Sequence, residues 1–125
     1  MQSGGEIGVL EAGGALDEAA AIAPAGALFR ALGDSTRLLI VQHLFSGPHR
    51  VRELTEHLGL AQSTVSAHLA CLRECGLVES RPVGRASMYS IVEPDRLTTL
   101  LAATEGLLEA TGSRVTLCRH LRPAR

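Results

Sequence analysis

Tryptophan and lysine are both missing from the 125 residues, and Phe29, Phe45 and Tyr89 are the only aromatic side chains. A core built from this chain must therefore be aliphatic. Every side-chain cation apart from histidine is one of twelve arginines, a planar fork suited to phosphate and guanine edges. A genome biased toward Arg and Ala would produce the same usage. No segment approaches the roughly eighteen consecutive apolar residues of a membrane span, and no basic region followed by an apolar run marks a secretory signal. The expected setting is the cytoplasm, with no membrane partner. There are three cysteines, an odd number that argues against a disulfide framework and leaves metal binding, redox chemistry or plain burial. The chain also lacks a Gly-rich phosphate loop, a nucleophile motif and a paired-acid site, so neither an enzyme nor a small-molecule substrate is expected.

What remains is one domain's length of chain, 46% hydrophobic, with a formal net charge of −1. The charge is unevenly spread. Residues 1–29 carry four acids and no arginine, residues 30–96 eight arginines against seven acids, and residues 97–125 four arginines against two acids. An acidic head thus masks a mildly basic remainder.

Residues 1–16, rich in Gly and Ala, read as a flexible N-terminal tail. Residues 17–111 read as the folded domain, mainly α with a small β-hairpin wing. A first helix is expected from Asp17, its possible cap, to Leu32, with Pro24 marking a kink or a late start. Gly33 ends it, and Asp34 is placed to cap a second helix running to Phe45. Val51, Leu54 and Leu58 predict a short third helix ending at Gly59. Gln62 to Cys75 then carries Val65, Leu69 and Leu72 on one stripe, followed by Gly76 at a C-terminal cap. Helix, short Gly-containing turn and helix make a helix-turn-helix. Strands over 77–81 and 86–92, joined by a turn at 82–85, supply the wing. A last helix from Asp95 to Thr111 places Leu97, Leu100, Leu101, Thr104, Leu107 and Leu108 on one wide apolar face, the expected dimer interface. Residues 112–125 form a C-terminal tail.

Opposite the buried stripe of the second reading helix lies a face of small and hydroxylated residues, Ser63, Ser66 and Ala67, with Gln62 at its N-terminal end. These side chains permit close approach to base edges and phosphates, and Gln is suited to adenine. Arg81 and Arg85 flank the wing turn, where cations can follow the backbone or enter the minor groove. An ordinary solvated face and solvated arginines are the competing readings.

The stretches Ala31 to Leu38, Gln62 to Leu69 with Leu72-Arg73, and Gly76 to Val78 with Gly84-Arg85 and Tyr89 resemble the ArsR/SmtB family of winged-helix, metal-responsive repressors. The resemblance runs from about Leu28 to Leu108. It implies a homodimer, paired through its first and last helices, that holds operator double-stranded DNA until an inducer binds.

Cys71 and Cys75 stand one helical turn apart, away from the DNA-reading face, so both sulfurs can address one site. Cys118 lies in the C-terminal tail. Three thiols select soft ions; buried small hydrophobes are the plainer alternative for the helix pair. The stretch Leu69 to Val78 is similar to the cadmium- and lead-sensing branch of the family, which implies Cys71, Cys75 and Cys118 as ligands, the last from the partner protomer. On that resemblance the inducer is a cadmium or lead ion, with zinc or arsenite as alternatives. Family sites found elsewhere are missing, since Val51-Arg52-Glu53-Leu54 stands in place of a Cys-x-Cys and Asp95-Arg96-Leu97 in place of an Asp-x-His. His68 and His120 are candidates for a fourth ligand, with packing and solvation the simpler roles, and His43, His49 and His57 have no ligand spacing. An arsenite- or antimonite-responsive repressor and a thiol redox switch are the rival functions. In the latter Cys118 is the better disulfide partner, because Cβ atoms at i, i+4 stand about 5–6 Å apart where a disulfide wants about 3.5–4.5 Å.

Overall fold

A computed structural model describes residues 12–121. In order these form helix α1 (Ala12–Leu32), α2 (Ser35–Leu44), a two-residue strand β1 (His49–Arg50), α3 (Val51–Leu58), α4 (Gln62–Glu74), β2 (Val78–Val83), β3 (Ala86–Ile91), α5 (Pro94–Ala110) and a closing 3-10 turn (Arg119–Leu121). The mainly helical chain with a hairpin wing is thus a winged helix-turn-helix.

The first helix departs from expectation. It begins at Ala12, so Asp17 sits inside it and not at its cap, and it continues through Pro24. Alanine-rich sequence such as Ala19-Ala20-Ala21 has the intrinsic propensity to carry a helix past one poor residue. Of the tail expected over 1–16, residues 12–16 are therefore helical, and residues 1–11 lie outside the described residues.

The turns follow local chemistry. Asp34 accepts a hydrogen bond from the Arg37 N–H at 3.0 Å and caps α2. Gly59 ends α3 with φ +68°, a left-handed conformation open to glycine. At the end of α4 the Gly76 N–H reaches the Arg73 carbonyl and the Leu77 N–H the Leu72 carbonyl, both at 3.0 Å. This pair of bonds, with Gly76 at φ +84°, is a Schellman motif that turns the chain directly into β2.

The sheet has the order β1-β3-β2, all antiparallel, with His49 opposite Tyr89 and Val83 opposite Ala86. The first wing strand runs two residues past its expected end at Arg81, because Pro82 and Val83 are paired with Ser87 and Ala86, which leaves Gly84 and Arg85 as a two-residue turn. Pro82 is tolerated because β2 is an edge strand. The short β1 was not anticipated; two residues carry no periodicity.

Ile40, Val41, Leu44, Leu54, Val65, Leu69, Leu72, Val78, Leu97, Leu101 and Leu117 make the core, with Ala31 and Cys118. It is aliphatic, as the aromatic poverty required. Among the described residues no helix is long and apolar enough to cross a membrane.

Candidate nucleic-acid interface and thiol cleft

Helix α4 divides as its periodicity dictates. Val65, Leu69 and Leu72 are fully buried, and Gln62, Ser63, Ser66 and Ala67 are exposed. Its N-cap, Ala61, has no side-chain acceptor, so the N–H groups of its first turn face outward, an arrangement suited to an anion. Beside this helix end, α3 and the wing enclose an open cleft of about 650 Å³ lined by Arg50, Arg52, Thr55, Gln62, Arg85 and Tyr89, among others. Arg81 is exposed in the middle of β2, opposite Met88, and does not line this cleft.

Arg50, Arg52 and Thr55 were missed by sequence reasoning, although a signal existed. Arg50 is the N-cap of α3 and Arg52 lies in its first turn, where the helix dipole disfavours cations. Such placement asks for an anion nearby. The Glu53 carboxylate does part of this locally, accepting the Arg50 N–H at 2.7 Å. That bond above all, then the nearby His49, Arg50 and His57 charges, holds the Glu53 carboxyl below its ordinary range.

The reading helix is tied on both sides. Arg73 donates from Nη1 to the Ser80 hydroxyl at 3.2 Å, fixing the end of α4 against the wing. On the other side, Arg37 donates from Nε to the Ala31 carbonyl at 2.6 Å and from Nη2 to the Arg30 carbonyl at 3.1 Å. Its Nη1 lies 3.2 Å from His68 Nδ1. A guanidinium only donates, so His68 Nδ1 must present its lone pair. His68 is thus engaged in packing the reading helix onto the end of α1.

Cys71 and Cys75 are half-buried and open onto one cleft of about 290 Å³ between α1 and α4, shared with Ala27, Arg30, Ala31, Arg37 and Glu74. The Cys75 thiol donates to the Leu72 carbonyl at 3.4 Å. Cys118 is elsewhere. It is 5% exposed, its thiol donates to the Thr98 carbonyl at 3.8 Å, and its N–H donates to Glu105 Oε2 at 2.8 Å. Glu105 also accepts the Leu117 N–H, while Gln42 Nε2 donates to the Thr116 and Leu117 carbonyls at 3.2 and 3.4 Å. His120 stacks on Phe45 with ring centroids 3.8 Å apart and meets the Thr98 hydroxyl at 3.0 Å. The tail is thus docked on α2 and α5. Within one protomer the two helix thiols come together and the tail thiol does not join them; no group of three metal-ligating side chains gathers among the described residues.

The apolar face of α5 is split. Leu97 and Leu101 are buried in the chain's own core, at 4% and 2% exposure, whereas Leu107 is 67% exposed. Leu100, Thr104 and Leu108 are half-buried. Leu100 joins Leu28 of α1 along an apolar groove. Along α1, Leu16, Ile22 and Phe29 are exposed.

A helix-turn-helix with a basic cleft under its wing defines a DNA-binding regulator by its architecture, and similarity to known proteins gives it a family. The chain belongs to the arsR family of bacterial regulatory proteins, whose sequence model matches residues 34–80. It is 36% identical over 93 residues to a probable mercury resistance operon repressor of Streptomyces lividans, covering 74% of each chain. It is 46% identical over 66 residues to the regulator CmtR of Mycobacterium tuberculosis, covering 53% of this chain and 56% of that one. Among solved structures it is similar to the homodimeric winged helix-turn-helix DNA-binding domain of a possible ArsR-family regulator from Mycobacterium bovis, with TM-score 0.67 and 27% identity over 79% of this chain and 94% of that one.

Proposed function

We propose that the protein is a homodimeric repressor, released from operator DNA when a soft metal ion binds Cys71 and Cys75 of one protomer and Cys118 of the other. The observation that carries this reading is the convergence of Cys71 and Cys75 on one cleft against α1, next to Arg37 and on the reading helix itself. A similar protein is a probable mercury resistance operon repressor, which supports a thiophilic inducer. Cadmium or lead is the ion we favour, with zinc and arsenite as the competitors to be tested. Two half-buried thiols one turn apart suit such an ion. The third donor must come from outside this cleft, because Cys118 is docked on its own α5. A partner's tail is the simplest source.

Exposed Leu16, Ile22, Phe29 and Leu107 supply the apolar surface for pairing through α1 and α5. In the dimer, Gln62, Ser63, Ser66 and Ala67 meet base edges, while Arg81 and, sharing the cleft with Arg50 and Arg52, Arg85 meet phosphates. Closing the thiol cleft against the partner's tail changes how the reading helices are spaced. Metal and operator must then weaken each other's binding by the same factor, typically about 1–3 kcal/mol.

The decisive experiment titrates cadmium, lead, arsenite and zinc into protein bound to the promoter region of its own gene, alongside Cys71→Ser, Cys75→Ser and Cys118→Ser. Release that disappears in each variant is expected. Undiminished release in all three removes the site, and release by peroxide alone establishes a redox switch instead.

A further inference from the structure

One side chain of α2, that of Arg37, reaches two other helices at once. Its Nε donates to the Ala31 carbonyl at 2.6 Å and its Nη2 to the Arg30 carbonyl at 3.1 Å, while its Nη1 lies 3.2 Å from Nδ1 of His68 on α4. Arg30 and Ala31 stand in the last turn of α1, where helical carbonyls lack their usual N–H four residues on. The guanidinium meets those acceptors and the negative end of the helix dipole together. Its own backbone N–H is held by the Asp34 carboxylate at 3.0 Å, so the root of the side chain is fixed as well as its fork.

Beside this clasp the two helices stand apart, with the thiol cleft of about 290 Å³ between them; Arg37 lines it together with Ala27 and Ala31 of α1 and Cys71 and Cys75 of α4. Val65, Leu69 and Leu72 seat α4 in the core. Apolar burial is non-directional, so it leaves the roll of the helix about that stripe to directional contacts. Arg37 to His68 is such a contact. On α1 the exposed Ile22 and Phe29 belong to the pairing surface, and on α4 the exposed Gln62, Ser63, Ser66 and Ala67 form the reading face. The clasp therefore sits where the orientation of one helix to the other is set.

We propose that Arg37 is a positioning residue for operator recognition: through His68 Nδ1 it fixes the roll of the reading helix against α1, and thereby the aim of each head in the pair. The inference rests on the reading above that two copies pair through α1 and bind DNA. Base-edge contacts need the helix at one angle, whereas phosphate contacts tolerate a wandering one. A head released from the clasp spends part of its time misaligned, and affinity falls by the fraction left in the competent orientation. With one hydrogen bond from a charged donor at stake, that loss is on the order of tenfold. Lysine cannot supply the clasp, because an ammonium is a point donor on a flexible stem, where the guanidinium spreads its N–H groups over a rigid fork.

The test measures binding of chelator-treated full-length protein to the promoter region of its own gene and to an unrelated duplex of equal length. The variants are Arg37→Lys, His68→Leu, His68→Asn, and Arg37→Lys combined with His68→Leu. His68→Leu removes the acceptor while leaving Arg37 on α1, and leucine is the better helix former, so α4 does not fray. It is expected to weaken promoter binding about tenfold, with non-specific binding and dimeric sedimentation unchanged. His68→Asn is expected to bind as the unmutated protein does, because asparagine Oδ1 hangs on the same carbon as histidine Nδ1 and also accepts. The double variant should bind no worse than the weaker of its two single variants, since both changes break the same bond. Additive losses, undiminished binding by His68→Leu, or an Asn variant as weak as the Leu variant overturn the proposal. Should Arg37→Lys not fold, the contrast between His68→Leu and His68→Asn decides alone. An unmutated chain that sediments as a monomer fails the pairing reading and takes the proposal with it, whereas a dimer with additive losses fails the clasp only.

Discussion

Asp34 shows how much one side chain sets locally. Its carboxylate accepts the Arg37 N–H, and that bond above all, followed by the charge of Arg37, holds its pKa below the ordinary value of 3.8. A group whose folded pKa is depressed contributes stability above its unfolded pKa and loses it as pH falls through the folded one. Asp34→Ala should therefore cost about 1 kcal/mol in urea unfolding at neutral pH, and Asp34→Asn much less. The Ala deficit should shrink as pH falls from 3.8 through the lower folded value, below which the wild-type cap is itself neutralised. A larger effect belongs to the core. Leu69 is fully buried, and Leu69→Ala should cost about 2–5 kcal/mol, read as a lower urea midpoint at unchanged slope.

At the scale of elements, the docked tail depends on Glu105, whose carboxylate gathers the N–H groups of Leu117 and Cys118. Glu105→Ala strips both donors of this acceptor, at about 1–3 kcal/mol for each buried group left unmade. The expected outcome is faster amide exchange at Leu117 and Cys118, together with faster modification of the Cys118 thiol by a disulfide reagent. Elements with strong local signals were legible in the sequence. Asp34 before α2, Gly59 in the turn and Gly76 after α4 each fix a boundary through a hydrogen bond or a positive φ, and Val65, Leu69 and Leu72 fix the buried side of α4. The start of α1 was not legible, because alanine propensity is spread over many residues and has no punctuation. Nor were the contacts of the His57 ring with those of His43 and His49, 5.4 and 5.7 Å between centroids, since no local periodicity records a meeting of residues from α2, β1 and α3. Cys71 and Cys75, one turn apart on a single helix, were legible for the opposite reason. The burial of Cys118 under Thr98 depends on a return of the chain from α5, which composition does not encode.

For the whole molecule, an arginine-only cation set and an apolar flank make separable demands. If Arg52 and Arg85 meet phosphates, Arg52→Ala and Arg85→Ala should each weaken DNA binding across all sequences and reduce the salt-dependence slope by about one. Gln62→Ala should instead relax sequence preference, costing about 1–3 kcal/mol on the preferred duplex. Pairing is tested apart from DNA. Phe29 and Leu107 are 62% and 67% exposed, so Phe29→Glu with Leu107→Glu should shift the protein toward monomer in sedimentation while leaving its urea midpoint near wild type at low concentration.

The joint at Gly76 has a consequence for how any signal must travel. Two backbone hydrogen bonds and the Arg73–Ser80 contact lock the reading helix to the wing, so one head is a solid tool with no moving blade. A tool of that kind cannot be blunted by reshaping its edge. In the homodimer we propose, paired heads straddle sites about 34 Å apart on one side of the duplex, like the points of a pair of callipers, and the gap between them is the setting left for an effector to alter.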